Sequence, residues 1–277
     1  MTTLVDDTDL VYHEDDPRVV PLLPETDHSG EAAVTIDAVS KVFTSRHGKV
    51  AALDNISLTV APGEFVCLLG ASGCGKSTLL NLITKLDVPT SGTVSTVGRP
   101  ALMFQESALF PWLTAGQNIA LALKYAGVPN KQSKAKVNEL LDLVRLSGTA
   151  NRRVHELSGG QRQRVALARA LGQNSEVLLM DEPFAALDAI TRDVMHDELT
   201  RVWKETGNSI VFVTHNVREA VRLGQRVVLL SSRPGRVVGE WKVKIKGPRT
   251  IEHPAVGLLA AEITLRLREE IASHARS

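Results

Sequence analysis

Residues 65–77 read Phe65-Val66-Cys67-Leu68-Leu69-Gly70-Ala71-Ser72-Gly73-Cys74-Gly75-Lys76-Ser77, and this stretch decides the fold. Five apolar residues predict a buried strand, and the segment from Thr78 to Ile83 predicts a helix. Between them lies a glycine-rich turn of the pattern G-x-x-x-x-G-K-[ST]. Its backbone amides, the helix N-terminus and Lys76 together favour a bound phosphate, and Ser77 offers a hydroxyl to Mg²⁺. The alternative is a glycine turn with an incidental lysine.

The composition is that of a soluble globular protein. The chain has 277 residues, a net charge of +1, 43% hydrophobic and 23% charged residues, and two cysteines. No apolar run approaches the ~18 residues of a membrane-spanning helix. The first residues are acidic where a secretory signal would be basic, and two cysteines fit a reducing cytosol.

The charge is unevenly distributed along the chain. Residues 1–33 contain nine acidic residues and one basic residue, whereas residues 34–277 contain 31 basic and 22 acidic residues. We predict that residues 1–33 form a disordered acidic leader. The mildly basic remainder suits a nucleotide-binding domain and does not implicate nucleic acid.

Hydrophobic periodicity predicts an α/β fold, with a parallel sheet flanked by helices. Short alternating segments within residues 34–60 predict an antiparallel β subdomain, and three later apolar runs at 177–180, 210–213 and 227–230 predict further parallel strands. Residues 111–157 have helical spacing and predict a helical insert. We expect the main domain to span 34–240, followed by a short extension at 241–277 that contains a terminal helix.

Two further segments carry candidate chemistry. Asp181 and Glu182 follow the apolar run 177–180, where an α/β sheet places its ligands. Asp181 would hold Mg²⁺ and Glu182 would polarise the attacking water, although an ordinary exit from a strand has the same pattern. Ser158 precedes a helical run and, with Gly159 and Gly160, predicts a second anion site at a capped helix start.

Taken together, these motifs resemble the nucleotide-binding subunits of ATP-binding cassette (ABC) transporters. The resemblance runs from Val34 to about Val238. Its motifs, in chain order, are the Walker A segment Gly70, Ala71, Ser72, Gly73, Cys74, Gly75, Lys76, Ser77 and Thr78, the Q-loop residue Gln105, the signature Leu157, Ser158, Gly159, Gly160 and Gln161, the Walker B residue Asp181 with Glu182, the D-loop Ala186-Leu187-Asp188, and the switch residue His215.

The resemblance implies an ABC-type P-loop ATPase that binds ATP and Mg²⁺. Lys76, Glu182 and His215 would serve catalysis, and Ser77, Gln105 and Asp181 would serve Mg²⁺. Phe43 would stack on adenine, with a core phenylalanine as the alternative. Two cassettes would associate head to tail, so that Ser158–Gln161 of one covers the ATP held by the other, while Asp188 lies near the same nucleotide.

The resemblance also implies a transporter at the cytoplasmic face of a membrane. Several motifs are similar to those of the nitrate, sulfonate and taurine import group, whose ATPases pair with a permease and, indirectly, a substrate-binding protein. A short connection, Thr93 to Leu102, departs from many such cassettes. The alternatives are a soluble ATPase without a transport role and the ATPase of a two-component exporter.

The same sequence gives three more local predictions. Phe110 and Trp112 are candidates for contact with a coupling helix of the permease, with burial in the helical insert as the alternative. Cys74 lies beside Lys76 and a helix N-terminus, which predicts a lowered thiol pKa and alkylation that blocks ATP binding. Cys67 lies within the predicted strand and should be inert.

Overall fold

The computed structural model describes residues 31–45, 48–246 and 249–274. Most of the predicted acidic leader therefore lies outside the described residues. The strands within these ranges are β1 (Val34–Ser45), β2 (Gly48–Val60), β3 (Phe65–Leu69), β4 (Ser91–Thr96), β5 (Ala101–Met103), β6 (Val177–Asp181), β7 (Ser209–Thr214), β8 (Arg226–Leu230) and β9 (Val237–Lys242). The helices are α1 (Lys76–Ile83), α2 (Ala115–Tyr125), α3 (Asn130–Leu143), α4 (Gly159–Leu171), α5 (Ala189–Thr206), α6 (Val217–Leu223) and α7 (Pro254–His274), with a 3₁₀ helix at Val154–Glu156.

The central sheet confirms the predicted α/β fold. Its six strands have the order β5-β6-β7-β3-β8-β9, and all neighbours pair in parallel except β8 and β9. Because β6, β7 and β3 are adjacent and parallel, their carboxyl ends lie at one edge of the sheet. The phosphate-loop segment follows β3, Asp181 is the last residue of β6, and His215 follows β7.

The smaller sheet is antiparallel, with the order β2-β1-β4. Its first strand, β1, is continuous from Val34 to Ser45, and its register shifts between Ile36 and Val42. Such irregularities bend and twist a strand. This sheet contributes its β1–β2 hairpin to one wall of the candidate site.

Side-chain alternation along the central strands builds two core layers. Phe65, Cys67 and Leu69 of β3 pack in one layer, and Val66 and Leu68 pack in the other. Both layers are buried, as expected for a parallel sheet that is covered on both faces. The sheet edge that carries the site is therefore held by core packing on each side.

Helices form within residues 111–157, where the sequence predicts a helical insert. α2, α3 and the 3₁₀ helix lie between residues 111 and 157, and Val137, Leu140, Leu141 and Val144 are buried as their spacing predicts. The predicted terminal helix is α7, which packs on the body through Val256, Ala260 and Ile263. Within the described ranges, no helix is both long enough and apolar enough to span a bilayer.

Candidate nucleotide site

The loop between β3 and α1 has the geometry of a phosphate cradle. Gly75, at the N-cap of α1, has φ 102°, and a Cβ there would lie 2.6 Å from Leu53 Cδ2. Only glycine fits both this left-handed conformation and this close approach. The loop backbone thus packs against β2 at the start of α1, whose first amides have no partner within the helix.

Lys76 supplies a buried positive charge to this cradle. Its residue is only 5% exposed, and its Nζ donates to the carbonyl oxygens of Gly70 (2.9 Å) and Ala71 (3.0 Å). Among the described residues it forms no ion pair with a carboxylate. A buried ammonium that has only neutral acceptors favours an anionic ligand.

A cavity of about 370 Å³ opens beside the cradle. It brings together many of the sequence-predicted residues. Its lining is Phe43, Val50, Ala52, Ser72, Gly73, Gly75, Lys76, Ser77, Thr78, Glu182 and Arg233. Gly70, Ala71 and Cys74 belong to the loop but do not line this cavity.

Phe43 forms the apolar end of the cavity. Its residue is 44% exposed, which disfavours the alternative of a core phenylalanine. Lys41 Nζ lies 5.0 Å from the centroid of the ring, within cation–π range. The ring is therefore held from one side and available to a planar group in the cavity.

Glu182 and His215 meet at the carboxyl edge of the sheet. Glu182 Oε2 lies 2.8 Å from His215 Nδ1, and the backbone amide of Glu182 donates to Val213 at 3.0 Å. Glu182 has φ 45°, which is costly for a residue with a side chain and typical of functional sites. Asp181 precedes it as the last residue of β6, at the same edge of the sheet.

The backbone of Gln105 is connected to the segment after Glu182 by the side chain of Gln163. The Gln163 side chain on α4 donates from Nε2 to Gln105 O (3.0 Å) and to Pro183 O (2.8 Å). Gln163 therefore joins the segment of Gln105 to the residue after Glu182. Sequence reasoning had assigned no role to Gln163.

The signature residues form a capped helix start, as predicted. Ser158 Oγ accepts from the amide of Gln161 (3.2 Å), and Gln161 Oε1 accepts from the amide of Ser158 (3.0 Å), which is a capping box. A Cβ on Gly160 would lie 2.7 Å from Thr191 Cγ2, so α4 begins tightly against the start of α5. None of residues 158–161 lines the cavity of the same chain.

Asp188 also lies outside the cavity lining, at the N-cap of α5. Its Oδ1 accepts from the amide of Thr191 at 2.9 Å. Hydrogen bonds from Thr191 hold the pKa of this exposed carboxyl below its ordinary value. The D-loop thus leads directly into a capped helix beside the signature.

The prediction of a lowered thiol pKa at Cys74 is wrong, whereas the effect of alkylation on ATP binding stays a prediction. Burial raises the pKa of its thiol, and the nearby charge of Lys76 only partly offsets this effect. Cys74 is 1% exposed and its Sγ lies 3.9 Å from Lys76 Nζ. Desolvation therefore outweighs the lysine and the helix terminus. Cys67 is fully buried, and burial likewise raises its thiol pKa.

Arg233 lines the cavity but was not among the predicted site residues. It lies in the loop between β8 and β9, and its Nε and Nη2 donate to Gly73 O at 3.3 and 3.2 Å. The contact joins residues 160 positions apart in the chain. The sequence carries no local signal of this contact, because the two segments that it joins are far apart in the chain.

The model of the ABC transporter family matches residues 53–185. The chain is 46% identical over 215 residues to the taurine import ATP-binding protein TauB of Burkholderia pseudomallei, which covers 75% of this chain and 83% of the relative. The chain belongs to the ABC transporter family. As a member of this family it is an ATP-binding protein and an ATP hydrolase.

Other relatives of this ABC protein are also import ATP-binding proteins. It is 45% identical over 220 residues to the nitrate import ATP-binding protein NrtD of Synechocystis, covering 76% of this chain and 83% of the relative. It is 44% identical over 230 residues to the aliphatic sulfonates import ATP-binding protein SsuB of Bacillus subtilis, covering 80% and 89%.

A solved structure supports the fold of this ABC protein. It is a dimeric post-hydrolysis state of the ATP-binding cassette MJ0796 bound to ADP and Pi, with a TM-score of 0.67 and 33% identity. The alignment covers 76% of this chain and 99% of the solved chain.

Proposed function

We propose that this chain is the ATPase subunit of an importer that takes up a small anion such as nitrate, a sulfonate or taurine through a separate membrane permease. The observation that carries the ATPase part is the cavity that is lined by both the buried Lys76 and Glu182, whose carboxylate in turn contacts His215. The names of the relatives support the import part.

Different residues of the site have separate roles in ATP hydrolysis. Lys76 and the loop amides hold the phosphates, while Phe43 provides a surface for the adenine ring. Glu182 accepts a hydrogen bond from the attacking water, and His215 orients Glu182 and contacts the γ-phosphate. The main effect is positioning and charge neutralisation.

The donor set near the cavity fits Mg²⁺. The Ser77 hydroxyl, the Asp181 carboxylate and the Gln105 side chain would hold it, and it would neutralise charge on the phosphates. This set contains one carboxylate, and Mg²⁺ is often held by one or two carboxylates together with substrate phosphates.

An exposed aromatic pair supports a partner at the helical insert. Phe110 is 37% and Trp112 is 68% exposed, and their ring centroids lie 5.5 Å apart. This exposure disfavours the alternative that both are core residues of the insert. An exposed aromatic pair next to the Gln105 segment suits a coupling helix of the permease.

By the same proposal, two copies act as a head-to-tail dimer at the cytoplasmic face of the membrane. The substrate-binding protein is an indirect partner that delivers the anion to the permease. A chromosome-structuring ATPase would need a long coiled coil in the insert, where α2 and α3 have only 11 and 14 residues.

The test is affinity purification of the full chain from its native membrane, followed by identification of the proteins that accompany it. A permease with a substrate-binding protein supports import, and ligand screening of that binding protein names the anion. A permease alone favours the two-component exporter, and the absence of any membrane partner favours the soluble ATPase.

A variant sharpens this test. Phe110→Ser with Trp112→Ser should lose the permease while the isolated chain still hydrolyses ATP. The control is Leu258→Ser. Leu258 is also apolar and is 74% exposed, but it lies on α7 and not in the helical insert. Retention of the permease by the double variant would remove this surface from the proposal.

A further inference from the structure

The β8–β9 loop forms one wall of the nucleotide cavity. It is closed by its own hydrogen bonds, in which Ser231 N donates to Arg236 O at 2.8 Å and Ser231 Oγ donates to Pro234 O at 2.8 Å. Such internal closure fixes the shape of a short loop. Arg233 lies at its tip.

This loop is also fastened to the two elements that build the rest of the cavity. Gly235 N donates to Ala52 O (2.9 Å), and Asp54 N donates to Gly235 O (2.9 Å). A Cβ on Gly235 would lie 2.3 Å from Cys74 O, so the loop backbone packs directly on the phosphate loop. Arg236 adds an ion pair with Asp54 at 2.5 Å.

The guanidinium of Arg233 is held in place but not neutralised. It bonds only to the carbonyl of Gly73, and within the described residues it has no carboxylate partner. Glu182 is the one carboxylate among the lining residues of this cavity in the described chain, and it is engaged with His215. Within the part of the chain that the structure describes, the cavity therefore contains two cations, Lys76 and Arg233, that have no carboxylate partner.

We propose that Arg233 is a further nucleotide-binding residue, a second cationic contact for the polyphosphate of ATP and ADP. Gly73 fixes one side of the planar guanidinium, and the remaining N–H groups are free to donate to phosphate oxygens. The contact is supplied from a loop outside the phosphate-binding motif, which explains why the motif alone did not reveal it. The inference depends on nucleotide binding and is independent of import.

The test is calorimetric titration of the full chain with ADP and with AMP, because neither is hydrolysed. Arg233→Ala should weaken ADP binding by about tenfold or more, as expected for the loss of a charge-assisted hydrogen bond. The loss should be smaller for AMP, which has one phosphate, and Arg233→Lys should recover part of the affinity. Circular dichroism and thermal unfolding check that each variant is folded.

Arg236→Lys is the matched control, since it replaces an arginine of the same loop that does not line the cavity and keeps a positive charge to pair with Asp54. We expect it to bind ADP like the wild type. The proposal is overturned by unchanged ADP affinity in Arg233→Ala, by an equal loss in Arg236→Lys, or by an equal loss for AMP. Failure of the wild-type chain to bind ADP would instead contradict the nucleotide site itself, whereas a lack of permease would contradict import alone.

Discussion

Glu182 combines a strained backbone with an engaged carboxylate. Its left-handed conformation costs of the order of 1–3 kcal/mol for a residue with a side chain. Core packing offsets this cost, because Phe184, two residues later, is buried against Phe212 with ring centroids 5.8 Å apart. The chain thus holds one carboxylate at the sheet edge in a conformation that only its surroundings stabilise.

We predict that Glu182→Gln retains ATP binding and loses hydrolysis. The amide keeps the size of the side chain but cannot accept a proton from water, and general-base catalysis typically contributes about 10²–10⁴-fold in rate. Phosphate release and nucleotide titration measure the two effects separately. The control is Glu176→Gln, an exposed glutamate just before the other end of the same strand. A Glu182→Gln variant with wild-type kcat would remove Glu182 from catalysis.

Cys74 shows how burial can reverse a prediction based on neighbours in sequence. Alkylation requires the thiolate, and a raised pKa lowers the thiolate fraction at neutral pH. We predict that both cysteines of the native protein react slowly with a maleimide at pH 7, and faster as the pH rises toward the raised pKa. Unfolded protein should label quickly. Fast native labelling at pH 7 that ATP blocks would restore the original prediction.

Among the elements, α4 connects the parts of the site. Its first turn carries the signature, Gln163 bonds to the segments of Gln105 and Glu182, and Arg169 donates to Ala108 O at 2.6 Å. These contacts attach the segments of Gln105, Ala108 and Glu182 to one helix. Gln163 is a positioning residue in this arrangement, because it acts through the backbone of both segments.

We predict that Gln163→Leu lowers kcat with little change in KM for ATP. The variant removes two hydrogen bonds and leaves the carbonyls of Gln105 and Pro183 without this donor, which should also lower the free energy of unfolding by about 1–3 kcal/mol. Steady-state kinetics and denaturant unfolding measure the two effects. The control is Gln173→Leu, an exposed glutamine just after the same helix. An unchanged kcat with lowered stability would mean a structural role only.

The sequence predicted the central strands of the six-stranded sheet better than its edge strands. β3, β6, β7 and β8 are runs of buried residues, so their apolar pattern is strong. β5 has only three residues, and β9 is a half-exposed edge strand of mixed composition, so neither has a clear period. An apolar run in the sequence is enough to predict a strand that is buried on both faces. Strands without such a run form through pairing with their neighbours in the folded sheet.

The same distinction applies to the site. The residues that lie in local motifs, such as Lys76 and Glu182, could be proposed from sequence because strand ends and helix starts fix their positions. Arg233 and Gln163 could not, because their roles depend on contacts between distant segments. The pKa of Cys74 was predicted wrongly because its side chain is buried in the same core layer as Val66 and Leu68, which its neighbours in sequence do not reveal.

In the whole molecule, the signature is separate from the cavity of its own chain. Residues 158–161 form a helix start with amide donors and no place in the cavity lining. A two-fold, head-to-tail dimer would place the signature of each copy over the cavity of the other. The donors of the α4 start would then meet the nucleotide of the partner copy, as donors at a helix N-terminus favour phosphate.

We predict that Gly159→Asp prevents dimer formation and leaves nucleotide binding by the single chain intact. A Cβ at this position would meet Leu187 only at 3.6 Å, so there is room for a side chain. An acidic residue in the first turn favours the helix itself but repels the phosphates of a nucleotide that approaches from a second copy. Light scattering after size exclusion, in the Glu182→Gln background with ATP, measures the mass. Gly159→Asn is the matched control, because it has the same shape without the charge and should still dimerise. If the aspartate and asparagine variants dimerise equally, the signature does not face the nucleotide of a partner copy.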